Sequence, residues 1–151
     1  MAVTLKEGDP APQFTAKDQN GIDVSLKDYA GKKVVLYFYP ADDTPTCTVQ
    51  ACNLRDNFSA LKAQCYEIIG ISPDDVASHS KFKNKYQLPF TLLSDTDKKI
   101  IDAYGVWGPK QMFGNAYDGL LRTTFVIDKN GLIKKVIRRP RTKEHAAEIM
   151  K

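Results

Sequence analysis

The sequence predicts an α/β fold: a mixed central β-sheet flanked by helices on both faces, with an N-terminal β-hairpin. Three observations lead there. The near-continuous apolar run Val34-Val35-Leu36-Tyr37-Phe38-Tyr39 suits a central strand covered on both faces. After it comes a helical stripe, Cys47, Ala51, Leu54, Phe58, Leu61 and Cys65, spaced alternately by four and three. Further strand and helix segments alternate before a closing hairpin, so parallel crossovers come first and an antiparallel pair last.

Each element has its own local signal. Phe14 to Leu26 reads as a hairpin turned at Asn20-Gly21. Tyr66 to Ser72 is the strand after the striped helix. Pro73-Asp74-Asp75 opens a helix over 74–86, Phe90 to Leu93 is a short strand, and 97–104 a short helix. Thr123 to Ile127 and Leu132 to Ile137 form a second hairpin about Asp128-Lys129-Asn130-Gly131. Thr142 suits the N-cap of a last helix. Together these predict one domain over residues 1–151, with a sheet of thioredoxin-like type.

At 151 residues the chain can bury one core, and 42% apolar with 26% charged is ordinary for a globular protein. Nothing approaches the roughly 18 apolar residues of a membrane span. The N-terminus shows no apolar signal segment, so the expected location is cytoplasmic. Net charge is +4, and six of the ten residues 134–143 are basic. No aromatics are interleaved there for base stacking, so the cluster reads as a solvated strand end, not a nucleic-acid patch. Three cysteines without a Cys-x-x-Cys pair argue against a disulfide scaffold and against zinc, and no cofactor is expected.

The chemistry concentrates in Pro40-Ala41-Asp42-Asp43-Thr44-Pro45-Thr46-Cys47. Thr44 suits an N-cap and Pro45 the first helical position, so Cys47 falls third, near unpaired N–H groups and the positive end of the helix dipole. A free thiol is only about 3% thiolate at pH 7, and a mostly ionised one requires about 3.4 kcal/mol of differential stabilisation. A helix end contributes about 0.3–2 kcal/mol. A cationic donor, typically worth about 1.5–3 kcal/mol, must supply the remainder. Arg122, at the start of an apolar strand, is the candidate; spacing alone leaves it either that donor or a rim arginine. Cys52, five residues on, would sit about 8–9 Å from Cys47 in an intact helix and about 140° around it. That exceeds disulfide reach of about 7 Å, so bonding requires the first turns to unwind; Cys52 is otherwise a small packing residue. Cys65 reads as a core cysteine. Tyr39, Trp107 and Phe113 are core aromatics or pocket-lining ones.

The run Tyr37-Phe38-Tyr39-Pro40 to Arg55-Asp56 resembles the active-site segment of peroxiredoxins, most closely the Q subgroup, also called bacterioferritin comigratory protein. The Pro-x-x-x-Thr-x-x-Cys pattern is present as Pro40, Thr44 and Cys47, and Cys52 stands at the Q-type resolving position. The likeness continues through Ile69 to Ser72, Phe90 to Asp95, Tyr104 to Gly108 and Arg122 to Asp128. The resemblance implies a thiol-dependent peroxidase acting on hydrogen peroxide and organic hydroperoxides. By it, Cys47 is the peroxidatic nucleophile, shielded by Pro40. Thr44 and Arg122 hold the thiolate and the peroxide oxygens. Cys52 resolves the sulfenic acid as an intramolecular disulfide, and thioredoxin, or alternatively glutaredoxin, recycles it. A resolving thiol in the same helix favours a monomer. Thr46 departs from the glycine often found before the cysteine in the subgroup, which bears on rate and substrate preference. Two rival readings, a disulfide oxidoreductase and a redox-sensing or nucleic-acid-binding module, lack a Cys-x-x-Cys pair and a stacking surface respectively.

Overall fold

The computed structural model describes residues 5–112 and 114–151. Nine strands follow in chain order: β1 Thr15–Asp18, β2 Asp23–Ser25, β3 Lys33–Phe38, β4 Tyr66–Ser72, β5 Thr91–Ser94, β6 Trp107–Met112, β7 Asn115–Leu120, β8 Thr123–Ile127 and β9 Ile133–Arg138. Seven of them form the central sheet, in the order β2-β1-β5-β4-β3-β8-β9. β3 pairs parallel with β4 and β4 with β5, whereas β8 and β9 close one edge and β1 and β2 the other in antiparallel fashion. The sheet is thus mixed, as the element order predicts.

β3 is buried on both faces, and its side chains divide the core. Val34, Leu36 and Phe38 join one cluster with Ile100, Ile101 and Tyr104 of helix α4 (Lys99–Tyr104). Val35 and Tyr37 join the other with Cys47, Ala51 and Leu54 of α1 (Pro45–Asp56), Leu61 of α2 (Phe58–Ala63), Phe82 of α3 (Val76–Tyr86) and Ile149 of α5 (His145–Met150). Helices therefore cover both faces. Opposite Tyr37 in the register stands Gly70, where an added Cβ would lie 2.9 Å from the Tyr37 ring and 2.9 Å from Leu92. Glycine here lets the Tyr37 ring cross β4 beneath α1.

Four expectations change. The striped helix is two helices. Asn57 leaves helical geometry (φ −108°, ψ 13°), and its side-chain amide donates to the Asn53 carbonyl at 2.8 Å, a local bond that competes with helix continuation. α2 consequently ends at Ala63, so Cys65 is no longer on the stripe. It lies exposed in the turn into β4 with φ 66°, and is not a core cysteine. Thr142 does not cap the last helix: Thr142–Glu144 is a 3-10 turn, and Asn53 of α1 supplies the cap instead, accepting from Ala146 N–H at 2.8 Å and donating to the Lys143 carbonyl at 2.8 Å. Finally, β6 and β7 form a hairpin absent from the expected element order, a separate two-stranded sheet. Gly108, Pro109 and Gly119 interrupt the strand pattern that would reveal it.

Candidate active site

α1 begins where Thr44 and Pro45 predict, with Thr44 extended at the N-cap and Pro45 first, which makes Cys47 the third helical residue. Thr48 N–H donates to the Thr44 carbonyl at 2.8 Å, the first helical bond of that turn. The Thr44 hydroxyl does not cap. It donates to the Ala41 carbonyl at 3.0 Å, bracing the loop between β3 and the helix. Pro40 is half-buried in the same loop.

Arg122 reaches this turn from the residue before β8. One guanidinium nitrogen donates to Cys47 Sγ at 3.2 Å, and the other to Gln50 Oε1 at 2.6 Å. Antiparallel pairing of β3 with β8, Phe38 opposite Thr123, brings Arg122 to the end of β3 where the loop begins. The cation therefore has a buried sulfur and a buried amide as partners, not a position on the rim. Gln50 escaped the sequence analysis. Its signal was a polar residue one turn after Cys47, flanking an apolar stripe, and it is wholly buried. Its Nε2 and the Tyr37 hydroxyl, also buried, have no hydrogen-bond partner among the described residues.

The electrostatic surroundings are consistent with a site built around one sulfur. Burial pushes the Tyr37 phenol well above its usual range, and the nearby Cys47 charge acts in the same sense. Burial also lowers Lys110, on β6; the Arg122 charge adds to this and Cys47 opposes it. His145 packs edge-on against Tyr37 at 6.5 Å between centroids and shares hydrogen bonds with Thr124 at 2.8 Å and Glu148 at 3.1 Å.

Cys52 lies half-buried on the same unbroken α1, and all three cysteines are free thiols. Helical geometry keeps it about 8–9 Å from Cys47. Of the three aromatics, Tyr39 is fully buried, with its hydroxyl donating to Asp42 at 2.6 Å. Trp107 packs partly buried against the core with the Lys98 ammonium 4.3 Å above its ring. Phe113 lies outside the described residues. No helix among the described residues is long and apolar enough to cross a membrane.

A buried nucleophile on a helix N-terminus beside a guanidinium is the arrangement expected of an activated thiol. Residues 7–136 match the model of the AhpC/TSA family. The chain is 45% identical over 148 residues to peroxiredoxin Bcp of Bacillus subtilis, covering 98% of this chain and 94% of that protein. It is 47% identical over 141 residues to peroxiredoxin Bcp of Escherichia coli K12, covering 93% and 90%. Among solved structures it resembles peroxiredoxin Q of Xanthomonas campestris, with a TM-score of 0.87 and 29% identity, covering 98% of this chain and 94% of that one. On these grounds the chain belongs to the AhpC/TSA family as a peroxiredoxin of the Q, or Bcp, type, a thiol-dependent peroxidase.

Proposed function

We propose that this enzyme reduces hydrogen peroxide and organic hydroperoxides through Cys47, resolves the product with Cys52, and is recycled in the cytoplasm, as a monomer, by thioredoxin or glutaredoxin. The observation that carries the reading is the 3.2 Å contact from Arg122 to Cys47 Sγ on the first turn of α1. Cys47 attacks one peroxide oxygen as thiolate. The O–O bond breaks, sulfur is oxidised to Cys47–SOH, and the other oxygen leaves as alkoxide or hydroxide and takes up a proton. Arg122 and the main-chain N–H groups of the helix end supply positive potential where that oxygen gains charge. Thr44 and Pro40 shape and shield the approach. The Cys52 thiol then attacks the sulfenic sulfur, water leaves, and a Cys47–Cys52 disulfide forms, which a dithiol reductant reopens. A similar solved protein, the bacterioferritin comigratory protein of X. campestris, is described as having alkyl peroxide reduction activity. That supports the inclusion of organic hydroperoxides here.

Stopped-flow mixing with hydrogen peroxide tests this. Rapid loss of one thiol is expected, abolished by Cys47→Ser, and turnover that survives that change removes the assignment. Cys52→Ser is expected to keep the first reaction and lose thioredoxin-supported turnover. Mass spectrometry of the peroxide-treated protein is expected to show a Cys47–Cys52 bridge.

A further inference from the structure

The loop that carries Pro40 and Thr44 is fastened to α3 by a buried polar cluster that the peroxidase chemistry does not use. Asp42 is its hub. One carboxylate oxygen accepts from the Tyr39 hydroxyl at 2.6 Å. The other accepts from the Ser78 hydroxyl at 2.7 Å and faces His79 Nδ1 at 2.7 Å. The side chains of His79 and Asp42 are 0% and 4% exposed, so water cannot substitute for these partners. His79 Nε2 in turn faces the main-chain carbonyl of Leu93, on β5, at 2.9 Å.

The nearest partner of each imidazole nitrogen is therefore an acceptor, the Asp42 carboxylate on one side and the Leu93 carbonyl on the other. A neutral imidazole has one N–H, and would set a bare lone pair against an oxygen at one side or the other. With the Asp42 carboxylate already accepting from two hydroxyls, the arrangement is satisfied when the ring carries both protons. The pair is then carboxylate and imidazolium, joined at 2.7 Å. Asp74 adds a second carboxylate close by, engaged by Asp42 N–H at 2.7 Å and the Ser72 hydroxyl at 2.7 Å. The Tyr39 hydroxyl lies 3.4 Å from Nδ1 and completes the groups facing the ring. Ligand atoms of Asp42, Asp74 and His79 gather within 4.8 Å of one another.

We propose that Asp42 and His79 are positioning residues, a buried ion pair that holds the Pro40–Thr44 loop against α3 and so sets how readily the first turns of α1 unwind to let Cys52 reach Cys47. This rests on the intramolecular disulfide proposed above. Thr44 is the N-cap of α1, two residues beyond Asp42, so the turn bearing Cys47 cannot open far while Asp42 is anchored. The next residue, Asp43, is held at the surface by Lys85 at 2.7 Å and Tyr86 at 2.8 Å from the other end of α3, and cannot take over a buried charge pair. Breaking one partner of a buried, hydrogen-bonded charge pair is strongly destabilising, because the other charge is stranded.

The first test needs no mutation of the pair. In protein labelled with 15N-histidine at neutral pH, both ring nitrogens of His79 are expected to be protonated. There are two histidines, 79 and 145, and His145→Gln identifies the other. One bare nitrogen on His79 overturns the proposal. The second test is Asp42→Asn, which keeps shape and removes the charge. Closure of the Cys47–Cys52 bridge after a peroxide pulse is expected to quicken by about tenfold or more. Amides of residues 48–52, whose N–H groups bond within the first turns of α1, should lose hydrogen-exchange protection in the reduced enzyme, and peroxide consumption by Cys47 should not quicken. Unchanged closure and unchanged protection overturn the proposal. Should wild-type protein form no Cys47–Cys52 bridge by mass spectrometry, the disulfide reading fails instead, while the nitrogen shifts and exchange at 48–52 still judge the clamp.

Discussion

Cys47 and Arg122 stand 75 positions apart in the chain and 3.2 Å apart in space. Neither residue explains the other in isolation. The arginine is useful because its planar fork reaches two acceptors, Cys47 Sγ and Gln50 Oε1, from one side. We expect Arg122→Met to slow the peroxide step by about 10²–10³-fold, the range seen when a donor aimed at a developing oxyanion is removed. Arg122→Lys should recover only part of this, since one ammonium cannot hold both partners. Single-turnover kinetics would measure both; a Lys variant with full activity would show that charge alone suffices. Cys47, Thr44 and Pro45 were legible in the sequence because helix-start rules are local. Gln50 was not, because nothing local separates a buried glutamine from a surface one beside an apolar stripe.

At the scale of elements, α1 does more than carry the nucleophile. Its Asn53 caps α5 through space, accepting from Ala146 N–H and donating to the Lys143 carbonyl. Removing both bonds with Asn53→Ala is expected to cost about 1–2 kcal/mol, seen as a lower urea midpoint with an unchanged slope. A loss below about 0.3 kcal/mol would mean that the 3-10 turn finds its own cap. The sequence pointed to Thr142 because a threonine ahead of a helical segment ordinarily caps it. Here a tertiary partner outcompetes it. The β6–β7 hairpin was hidden for a related reason: its pairing is with itself, and its glycines and proline mute the local strand signal.

For the whole molecule, stability responds to pH through the buried His145, which is wholly shielded from solvent. Burial holds the His145 imidazole below its ordinary 6.5, Glu148 acts in the opposite sense, and Arg122 adds to the lowering. A base whose folded-state value is lowered contributes stability that is present above about pH 6.5 and is lost as pH falls from there toward that lower value, since unfolding then takes up a proton. Urea midpoints measured from pH 7.5 down to 5 should therefore decline, and His145→Gln should flatten the decline while lowering the plateau. A wild-type and variant pair with parallel pH profiles would remove His145 as the source.

What the amino-acid order determined by itself was the α/β class, the central strand, the start of the helix bearing Cys47 and the turn-marked hairpins. Periodicity, caps and glycine turns act over a few residues, and their energies are set before distant segments meet. What only the tertiary structure decided was the pairing of Arg122 with Cys47 and Gln50, the cap on α5 and the closure of Asp42 against His79. Each of these depends on which elements are packed together, a choice made by burying two faces of one sheet at once, and no short window of sequence contains both partners.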